Sequence, residues 1–337
     1  MKRIRGALVG AGLVLAACSS SGTSPPPTTT TLPPGPGAFT FAVWGDTPYS
    51  QAETATLPRL VGEINAARPA FVVHVGDIAG GGACDDAVYA TTAATFNTFT
   101  APLVYVPGDN EWTDCHRGGF DPVERLGHLR RTMYPSSASF GSPPLELIQQ
   151  RPDFPENSRW THGSVVFVGL NVPGSNNNRL RVGSEAAAAR TPAEVAAAEA
   201  ESTARDEANR AWLRQGFEAA VGAGATGVVV VMQADPAFDV PPADRVARNV
   251  DGYDGLLAAF VEEAKAFAKP VVIVHGDSHQ YRFDRPLVDP ATAQIVANVQ
   301  RVETYGSPVT GWVRVTVDPT SAAFVRAEPE FVGGPRG

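Results

Sequence analysis

The sequence predicts an α/β protein, and three observations lead to that prediction. Short apolar runs rich in valine and phenylalanine recur along the chain, and stretches of helical composition lie between several of them. Continuous apolar runs are typical of strands buried on both faces, and their alternation with helices favours an α/β architecture over an all-β sandwich. Near the C-terminus, residues 318–321 join two further runs, 312–317 and 322–327, as expected of an antiparallel hairpin.

The predicted elements alternate in order along the chain. Strands are expected over residues 39–44, 71–75, 103–106, 165–172, 228–232 and 271–274. Helices are expected over residues 53–67, 85–99, 123–133, 193–221 and 255–267.

Composition excludes several classes of protein. The chain has 337 residues, of which 43% are apolar, so it is not a wholly disordered protein. Its net charge of −8 excludes a nucleic-acid binder that relies on a basic surface. No apolar run reaches the roughly 18 residues of a membrane-spanning helix, which excludes a polytopic membrane protein. The sequence has neither a glycine-rich phosphate loop nor a Gly-x-Ser-x-Gly elbow, which weakens nucleotide-triphosphatase and serine-esterase interpretations.

The N-terminus has the pattern of a secretory signal peptide. Lys2, Arg3 and Arg5 precede an apolar stretch over residues 6–17, and the sequence Leu-Ala-Ala-Cys ends at Cys18. This ending resembles the bacterial lipoprotein signal, which implies cleavage before Cys18, lipid attachment to it and a membrane-anchored protein on the extracytoplasmic face. The alternative is an ordinary cleaved signal with a chance cysteine.

Three segments are therefore predicted: a signal peptide over residues 1–17, a lipidated cysteine and tether over 18–37, and one domain over 38–337. The tether is rich in Pro, Thr and Ser and has no periodic apolar pattern, so we expect it to be extended. The remaining 300 residues, 38–337, suit one large domain.

With Cys18 lipidated, Cys84 and Cys115 remain as an even pair in an oxidising compartment. The main interpretation is a disulfide between them, and the alternative is two buried free thiols.

Aspartate follows glycine at four strand ends: Gly45-Asp46, Gly76-Asp77, Gly108-Asp109 and Gly276-Asp277. Glycine lets the backbone leave a sheet in an unusual conformation, and α/β proteins place their ligands at the carboxyl edge of the sheet. Four carboxylates gathered there would repel one another unless some were protonated or cations neutralised them. A divalent cation bound by oxygen ligands and one histidine is the favoured solution, and four separate turn-capping residues are the alternative.

The order of these motifs resembles that of the calcineurin-like metallophosphoesterases, over about residues 39–279. The corresponding segments are Gly45-Asp46-Thr47-Pro48, Gly76-Asp77, Gly108-Asp109-Asn110-Glu111, Gln233-Ala234-Asp235-Pro236 and Gly276-Asp277-Ser278-His279. The resemblance implies a four-layer α/β/β/α sandwich and hydrolysis of a phosphoester with metal-activated water.

Most of the family's motif histidines are replaced. The departures are Pro48, Asn110, Ala234 and Asp277 in place of histidine, and Asp109 in place of asparagine. The last motif keeps His279, so this chain resembles a divergent or repurposed member of the family.

The resemblance implies one or two divalent metal ions. Asp46 and His279 would hold one, and Asp77 would bridge to a second, for which Asp109 and Asp277 are substitute ligands. Because four carboxylates and one imidazole are offered, Mg²⁺, Mn²⁺ or Ca²⁺ is favoured over Zn²⁺.

The loop after the third strand combines side chains suited to an anionic or ring-bearing ligand. Asn110, Trp112, His116 and Arg117 are the predicted substrate-binding residues, and Asp77, Asn110 and His116 the predicted catalytic ones. His116 or Arg117 would replace the phosphate contact of the missing histidine. The alternative is a loop that is merely ordered by Cys115.

The favoured function is an extracytoplasmic metal-dependent phosphoesterase, with a phosphoester substrate and with no nucleic-acid or protein partner expected. The alternative is a catalytically silent lipoprotein that keeps the fold and binds a metal or ligand. A solute-binding lipoprotein of the transport type is disfavoured, because it would be expected to have two similar α/β lobes.

Overall fold

The computed structural model describes residues 37–181 and 183–333. The predicted signal peptide, Cys18 and all of the tether except residue 37 lie outside this part of the chain. Within it, none of the helices combines the length and the apolar character needed to cross a bilayer.

Most of the strands belong to two sheets. The strands are β1 (Phe39–Trp44), β2 (Val72–His74), β3 (Leu103–Tyr105), β4 (Ile148–Gln150), β5 (Phe154–His162), β6 (Val165–Gly169), β7 (Gly227–Val231), β8 (Val271–His275), β9 (Arg282–Asp284), β10 (Val288–Asp289), β11 (Gln294–Ile295), β12 (Val299–Glu303), β13 (Gly311–Val317) and β14 (Val325–Phe331). The first sheet has the order β14-β13-β1-β2-β3, and the second has the order β4-β5-β6-β7-β8-β12-β9. Strands β10 and β11 form a separate two-stranded ribbon.

The five longest helices cover the outer faces of the two sheets. In chain order the helical segments are α1 (Gln51–Ala67), α2 (Asp86–Phe96), α3 (Pro122–Met133), α4 (Gly174–Asn177), α5 (Glu185–Ala188), α6 (Pro192–Gly222), α7 (Pro242–Arg245) and α8 (Asp254–Phe267), with 3-10 turns at Thr113–Gly118 and Asp251–Tyr253. The short segment α4 is not a regular α-helix, because Ser175 and Asn176 have left-handed backbone angles. Helix α6 begins with a reciprocal capping box, in which Thr191 and Glu194 each accept the other's backbone N–H.

The central strands of both sheets are parallel, so in each sheet their carboxyl ends lie at the same edge. Strand β1 pairs in parallel with β2, and β2 with β3; in the second sheet β6, β7 and β8 are parallel neighbours. These strands carry Val-rich sequences and are buried on both faces, as expected for parallel sheets covered on both sides.

Three apolar cores separate four layers. The first lies between the two sheets and includes Phe41 and Phe167. The second packs α6 and α8 against the seven-stranded sheet through Phe217 and Phe260, and the third packs α1, α2 and α3 on the five-stranded sheet through Leu60. The architecture is therefore the predicted α/β/β/α sandwich.

The C-terminal hairpin differs from its predicted register. Its second strand spans Val325–Phe331 instead of residues 322–327. The turn is longer than expected because Asp318 accepts hydrogen bonds from Thr320, and Phe324 takes a left-handed conformation before the strand begins.

We expect Phe167→Ala to lower the free energy of unfolding by about 3–5 kcal/mol, the usual cost of removing a buried phenylalanine. Phe167 has no exposed surface and packs on four rings: Phe39, Phe41, Phe71 and Trp160. Chemical denaturation measures the loss, with Val221→Ala as control, because the Val221 side chain is 64% exposed. Equal stability of the two variants would contradict this account of the core between the sheets.

Candidate functional site

The four Gly-Asp segments meet where the carboxyl ends of β1, β2, β3 and β8 come together. Asp46, Asp77 and Asp277 have left-handed backbone conformations, with φ of 51°, 58° and 75°. Aspartate tolerates this region better than most residues, although each such position costs about 1 kcal/mol or more. A methyl group at Gly108 would collide with Asp77, and one at Gly276 would collide with Asp46. Glycine is therefore required where the chain leaves the sheet.

We call Asp46, Asp77, Asp109 and Asp277 the acid cluster; each is held by neutral donors. Asp46 Oδ1 accepts the backbone N–H of Asp277 at 2.9 Å, which joins the two sheets. The amide nitrogen Nε2 of Gln233 lies 3.2 Å from Asp109 Oδ1 and 3.3 Å from Asp277 Oδ1, so one amide group bridges two carboxylates.

Asp77 has two further donors. The Tyr49 hydroxyl donates to Asp77 Oδ2 at 2.6 Å, and the backbone N–H of Asn110 donates to Asp77 Oδ1 at 3.1 Å. Tyr49 keeps its proton at neutral pH, because burial and the nearby Asp77 charge raise its pKa.

Glu111 organises the loop beneath the cluster. Its carboxylate accepts the backbone N–H groups of Gly108 and Asp77 and the hydroxyl of Tyr105 at 2.6 Å. Burial raises the pKa of Glu111, while the Tyr105 hydrogen bond opposes the rise. Glu111 is thus a buried support for two of the Gly-Asp turns.

His279 completes the cluster on the side of Asp46. Its Nδ1 lies 2.7 Å from the Ser307 carbonyl oxygen, which only accepts, so Nδ1 carries the proton. In the neutral ring Nε2 then keeps its lone pair, and it lies 3.9 Å from Asp46 Oδ1. A histidine fixed in this way presents Nε2 as a potential ligand.

Burial and mutual repulsion raise the pKa values of Asp46, Asp77 and Asp277. Burial is the largest cause of the raised pKa of Asp46, followed by the charge of Asp277. Burial also raises the pKa of Asp77 and of Asp277, and in both cases the charge of Asp109 is the next cause. Among the described residues, no Lys or Arg forms an ion pair with any of the four carboxylates.

The acid cluster fits a divalent cation in charge and in ligand type. Asp46 Oδ2 is buried and has no hydrogen-bond partner in the described chain, and the donor set is four carboxylates and one imidazole. Within residues 37–181 and 183–333, however, no three His, Cys, Asp or Glu side chains are arranged to hold an ion as they stand. The donors Tyr49 and Gln233 occupy oxygens that a bound ion would need.

The four predicted substrate-binding residues differ in their surroundings. Asn110 borders the acid cluster through its backbone, whereas Arg117 pairs with Asp114 at 2.8 Å and His116 Nδ1 lies near the Thr113 carbonyl. Trp112 differs from its prediction as a substrate contact: it has no exposed surface and lies under the Arg205 guanidinium, because the loop turns its ring into the core. It supports the loop instead.

The Cys84 and Cys115 Cα atoms lie 5.7 Å apart, within the range of a disulfide, and the two residues lie on the segments that follow Asp77 and Asp109. Their covalent pairing stays a prediction. His74 is buried against Trp44, and burial lowers its pKa to about 3.

Tyr49 and Ser175 also contact the acid cluster, and neither was predicted from the sequence. Tyr49 follows the first motif directly, which was the available signal. Ser175 lies in a run of Gly, Ser and Asn, in which residues 175–178 all have left-handed φ angles of 50–57°. The Ser175 hydroxyl donates to Asp109 Oδ2 at 2.7 Å and to Asp114 Oδ1 at 2.9 Å, so its hydrogen is shared between the two carboxylates.

We expect the pH dependence of stability to reveal the repulsion at Asp46. An acid whose pKa is raised on folding favours the folded state at low pH, and this contribution is lost as pH rises through the folded-state pKa. In EDTA-containing buffer, Asp46→Asn should therefore melt a few degrees above wild type at pH 8, with the difference shrinking towards pH 4. Calorimetry at both pH values measures it.

The control for Asp46→Asn is Asp153→Asn, which removes one carboxylate from an exposed position. A difference between Asp46→Asn and wild type that did not change with pH would contradict the proposed origin of the raised pKa.

Comparison with known proteins places the chain in a family. The family model described as "Calcineurin-like phosphoesterase" matches residues 39–281. No curated protein matches the chain. Among solved structures it resembles a dimetal phosphatase from Danio rerio, at 12% identity and a TM-score of 0.51, with 87% of this chain and 96% of that chain covered.

A second similar structure is GAP50, the anchor in the inner membrane complex of Plasmodium, at 10% identity and a TM-score of 0.45, with 88% of this chain and 89% of that chain covered. The likeness to the dimetal phosphatase supports the fold. The family model, which covers more than half of the chain, carries phosphoester hydrolysis with a divalent metal as the family's chemistry. The chain belongs to the calcineurin-like phosphoesterase family.

Proposed function

We propose that the protein is a metal-dependent phosphoester hydrolase whose reaction centre is the acid cluster with His279. The observation that carries this proposal is the buried, unpartnered Asp46 Oδ2 within four carboxylates that have no Lys or Arg partner among the described residues. Such an arrangement is costly by itself, and a divalent cation offsets the cost.

Asp46, Asp77, Asp109, Asp277 and His279 are the proposed ligands for one or two ions. Carboxylate oxygens favour Mg²⁺, Mn²⁺ or Ca²⁺ over Zn²⁺, which usually takes more nitrogen or sulfur ligands. A divalent cation supplies charge stabilisation at a phosphoryl oxygen and lowers the pKa of water.

The chain's own groups have defined tasks in this proposal. Tyr49 orients Asp77 through its 2.6 Å hydrogen bond. Gln233 fixes the distance between the Asp109 and Asp277 carboxylates, because its amide nitrogen donates to both. Ser175 is exposed and its hydroxyl already contacts Asp109, so it is placed to bind a phosphoryl oxygen beside the cluster. Asn110, His116 and Arg117 remain candidates for substrate contact on the neighbouring loop.

We expect Asp77→Asn to abolish the metal-dependent rise in Tm and to lower phosphoester turnover more than about a hundredfold, the scale on which losing one charged transition-state group acts. Metal analysis, melting with Mg²⁺, Mn²⁺, Ca²⁺ or Zn²⁺, and a panel of phosphomonoesters and phosphodiesters provide the measurements. Asp153→Asn is the matched control. An unchanged metal-dependent melting shift in Asp77→Asn would rule out the bridging role.

The alternative proposal is a silent lipoprotein that binds metal without turnover. The observation that favours it is the pair of hydrogen bonds from Gln233, which places a neutral amide between Asp109 and Asp277. Clear metal binding by the wild type with no hydrolysis of any ester in the panel would select this alternative.

We also propose that the protein is anchored by lipid on the extracytoplasmic face of the membrane, on the strength of the leader that ends at Cys18. We expect Cys18→Ala to move the protein from the membrane fraction to the soluble fraction, because the acyl chains provide the anchor. Fractionation with immunodetection measures the shift. A wild-type protein found in the soluble fraction would exclude lipid anchoring.

A further inference from the structure

A cavity of about 260 Å³ adjoins the acid cluster, and four arginines line it. We call it the arginine pocket. Its lining includes Asp114, Arg117, Ser175, Arg179, Arg181 and Arg190. These residues come from the loop after β3 and from the segment between β6 and α6, so both sides of the pocket are built by connections that also border the acid cluster.

Among the described residues that line the arginine pocket, four are arginines and one, Asp114, is acidic, so the described lining is net positive. Arg117 pairs with Asp114 at 2.8 Å, and Arg179 pairs with Asp251 at 3.0 Å. Arg190 differs from both: its Nη2 donates to the Thr113 carbonyl at 2.9 Å, whereas its Nε and Nη1 atoms are buried and have no hydrogen-bond partner in the described chain.

Buried guanidinium nitrogens without partners are costly, and their usual partners are oxyanions. A buried donor without a hydrogen-bond partner is unfavourable, and more so when the group is charged. Guanidinium groups bind carboxylate and phosphate oxygens in a planar, often bidentate geometry. Arg190 therefore points to an anionic ligand in the pocket.

Ser175 connects the arginine pocket to the acid cluster. Its hydroxyl is 2.7 Å from Asp109 Oδ2 and 2.9 Å from Asp114 Oδ1, so a single side chain lies between the two sites. Four consecutive left-handed residues, 175–178, hold it there. The buried Arg205 stabilises this turn by donating to the Asn177 carbonyl at 2.9 Å.

We propose that the arginine pocket is a second anion subsite that selects phosphoesters whose alcohol portion carries its own carboxylate or phosphate group. This inference rests on the proposed phosphoesterase function. The phosphoryl group would lie at the acid cluster, and the second anionic group would bind Arg190 and Arg117 on the far side of Ser175.

The test compares two substrates that differ by one carboxylate: phenyl phosphate and 4-(carboxymethyl)phenyl phosphate. We expect the wild type to prefer the carboxylated ester by about tenfold or more in kcat/KM, because a charge-assisted hydrogen bond contributes about 1.5–3 kcal/mol. Arg190→Gln should remove most of this preference through KM. Equal kcat/KM for both esters in the wild type, or a preference that Arg190→Gln retains, would overturn the proposal.

Two further variants distinguish a loss of anion binding from a folding defect and from a change in net charge. Arg190 also supports the Thr113 carbonyl, so Arg117→Gln, at a side chain that is 57% exposed, provides a second removal of charge from the pocket. Arg131→Gln removes the same charge from an exposed position on α3 outside the pocket. The preference should fall in Arg117→Gln and persist in Arg131→Gln; loss in all three variants would mean that net charge alone explains it.

A binding measurement keeps the inference independent of turnover. Inorganic pyrophosphate is titrated calorimetrically into the full chain in metal-free buffer, with wild type, Arg190→Gln and Arg131→Gln compared. About tenfold weaker pyrophosphate binding in Arg190→Gln alone would support the subsite, whether or not the esters are hydrolysed. Failure to hydrolyse either ester would reject only the proposed enzyme activity. Absence of pyrophosphate binding by the wild type, or equal binding by all three proteins, would overturn the subsite.

Discussion

Repulsion among four buried carboxylates is the constraint around which this end of the molecule is built. Asp46, Asp77, Asp109 and Asp277 are brought together by parallel strands from two sheets, and the apolar cores on either side keep those strands in place. The chain opposes the repulsion with neutral donors: backbone N–H groups, the Tyr49 hydroxyl and the Gln233 amide. Such donors stabilise negative charge less than a cation does. The carboxylates are therefore held in place, but their negative charge is not neutralised.

The neighbouring pocket has the opposite sign of charge. Four arginines lie beyond Ser175, while the acid cluster lies before it. A cleft with charges of both signs at close range orients a polar ligand, because the field differs from one end of the ligand to the other. In the proposed function, the acid cluster would hold the phosphoryl group and the arginine pocket would bind the second anionic group.

Sequence reasoning recovered the parts of the fold that depend on local pattern. The Val-rich parallel strands β7 and β8 and the five long helices were predicted close to their observed bounds, and the four Gly-Asp segments were correctly expected at strand ends. The parallel strand β12 was not predicted. Strand β5 was missed because Glu156, Asn157 and Ser158 read as polar surface residues, although all three are buried. Glu156 is tolerated there because Arg130 pairs with it at 2.6 Å from a helix that is distant in sequence. Tyr49 and Ser175 were missed for a related reason, since their partners lie 28 and 66 residues away in the chain.

The left-handed run at residues 175–178 has a consequence for how this surface can vary among related sequences. A β-branched side chain is disfavoured at each of these four positions, because its Cβ substituents crowd the neighbouring carbonyl in this conformation. Glycine, asparagine and aspartate adopt this conformation most readily, and asparagine occupies positions 176–178. Serine at position 175 is the exception, and its hydroxyl is held by hydrogen bonds to Asp109 and Asp114. The left-handed backbone alone therefore limits which residue types can form the turn between the acid cluster and the arginine pocket, independently of their chemical role.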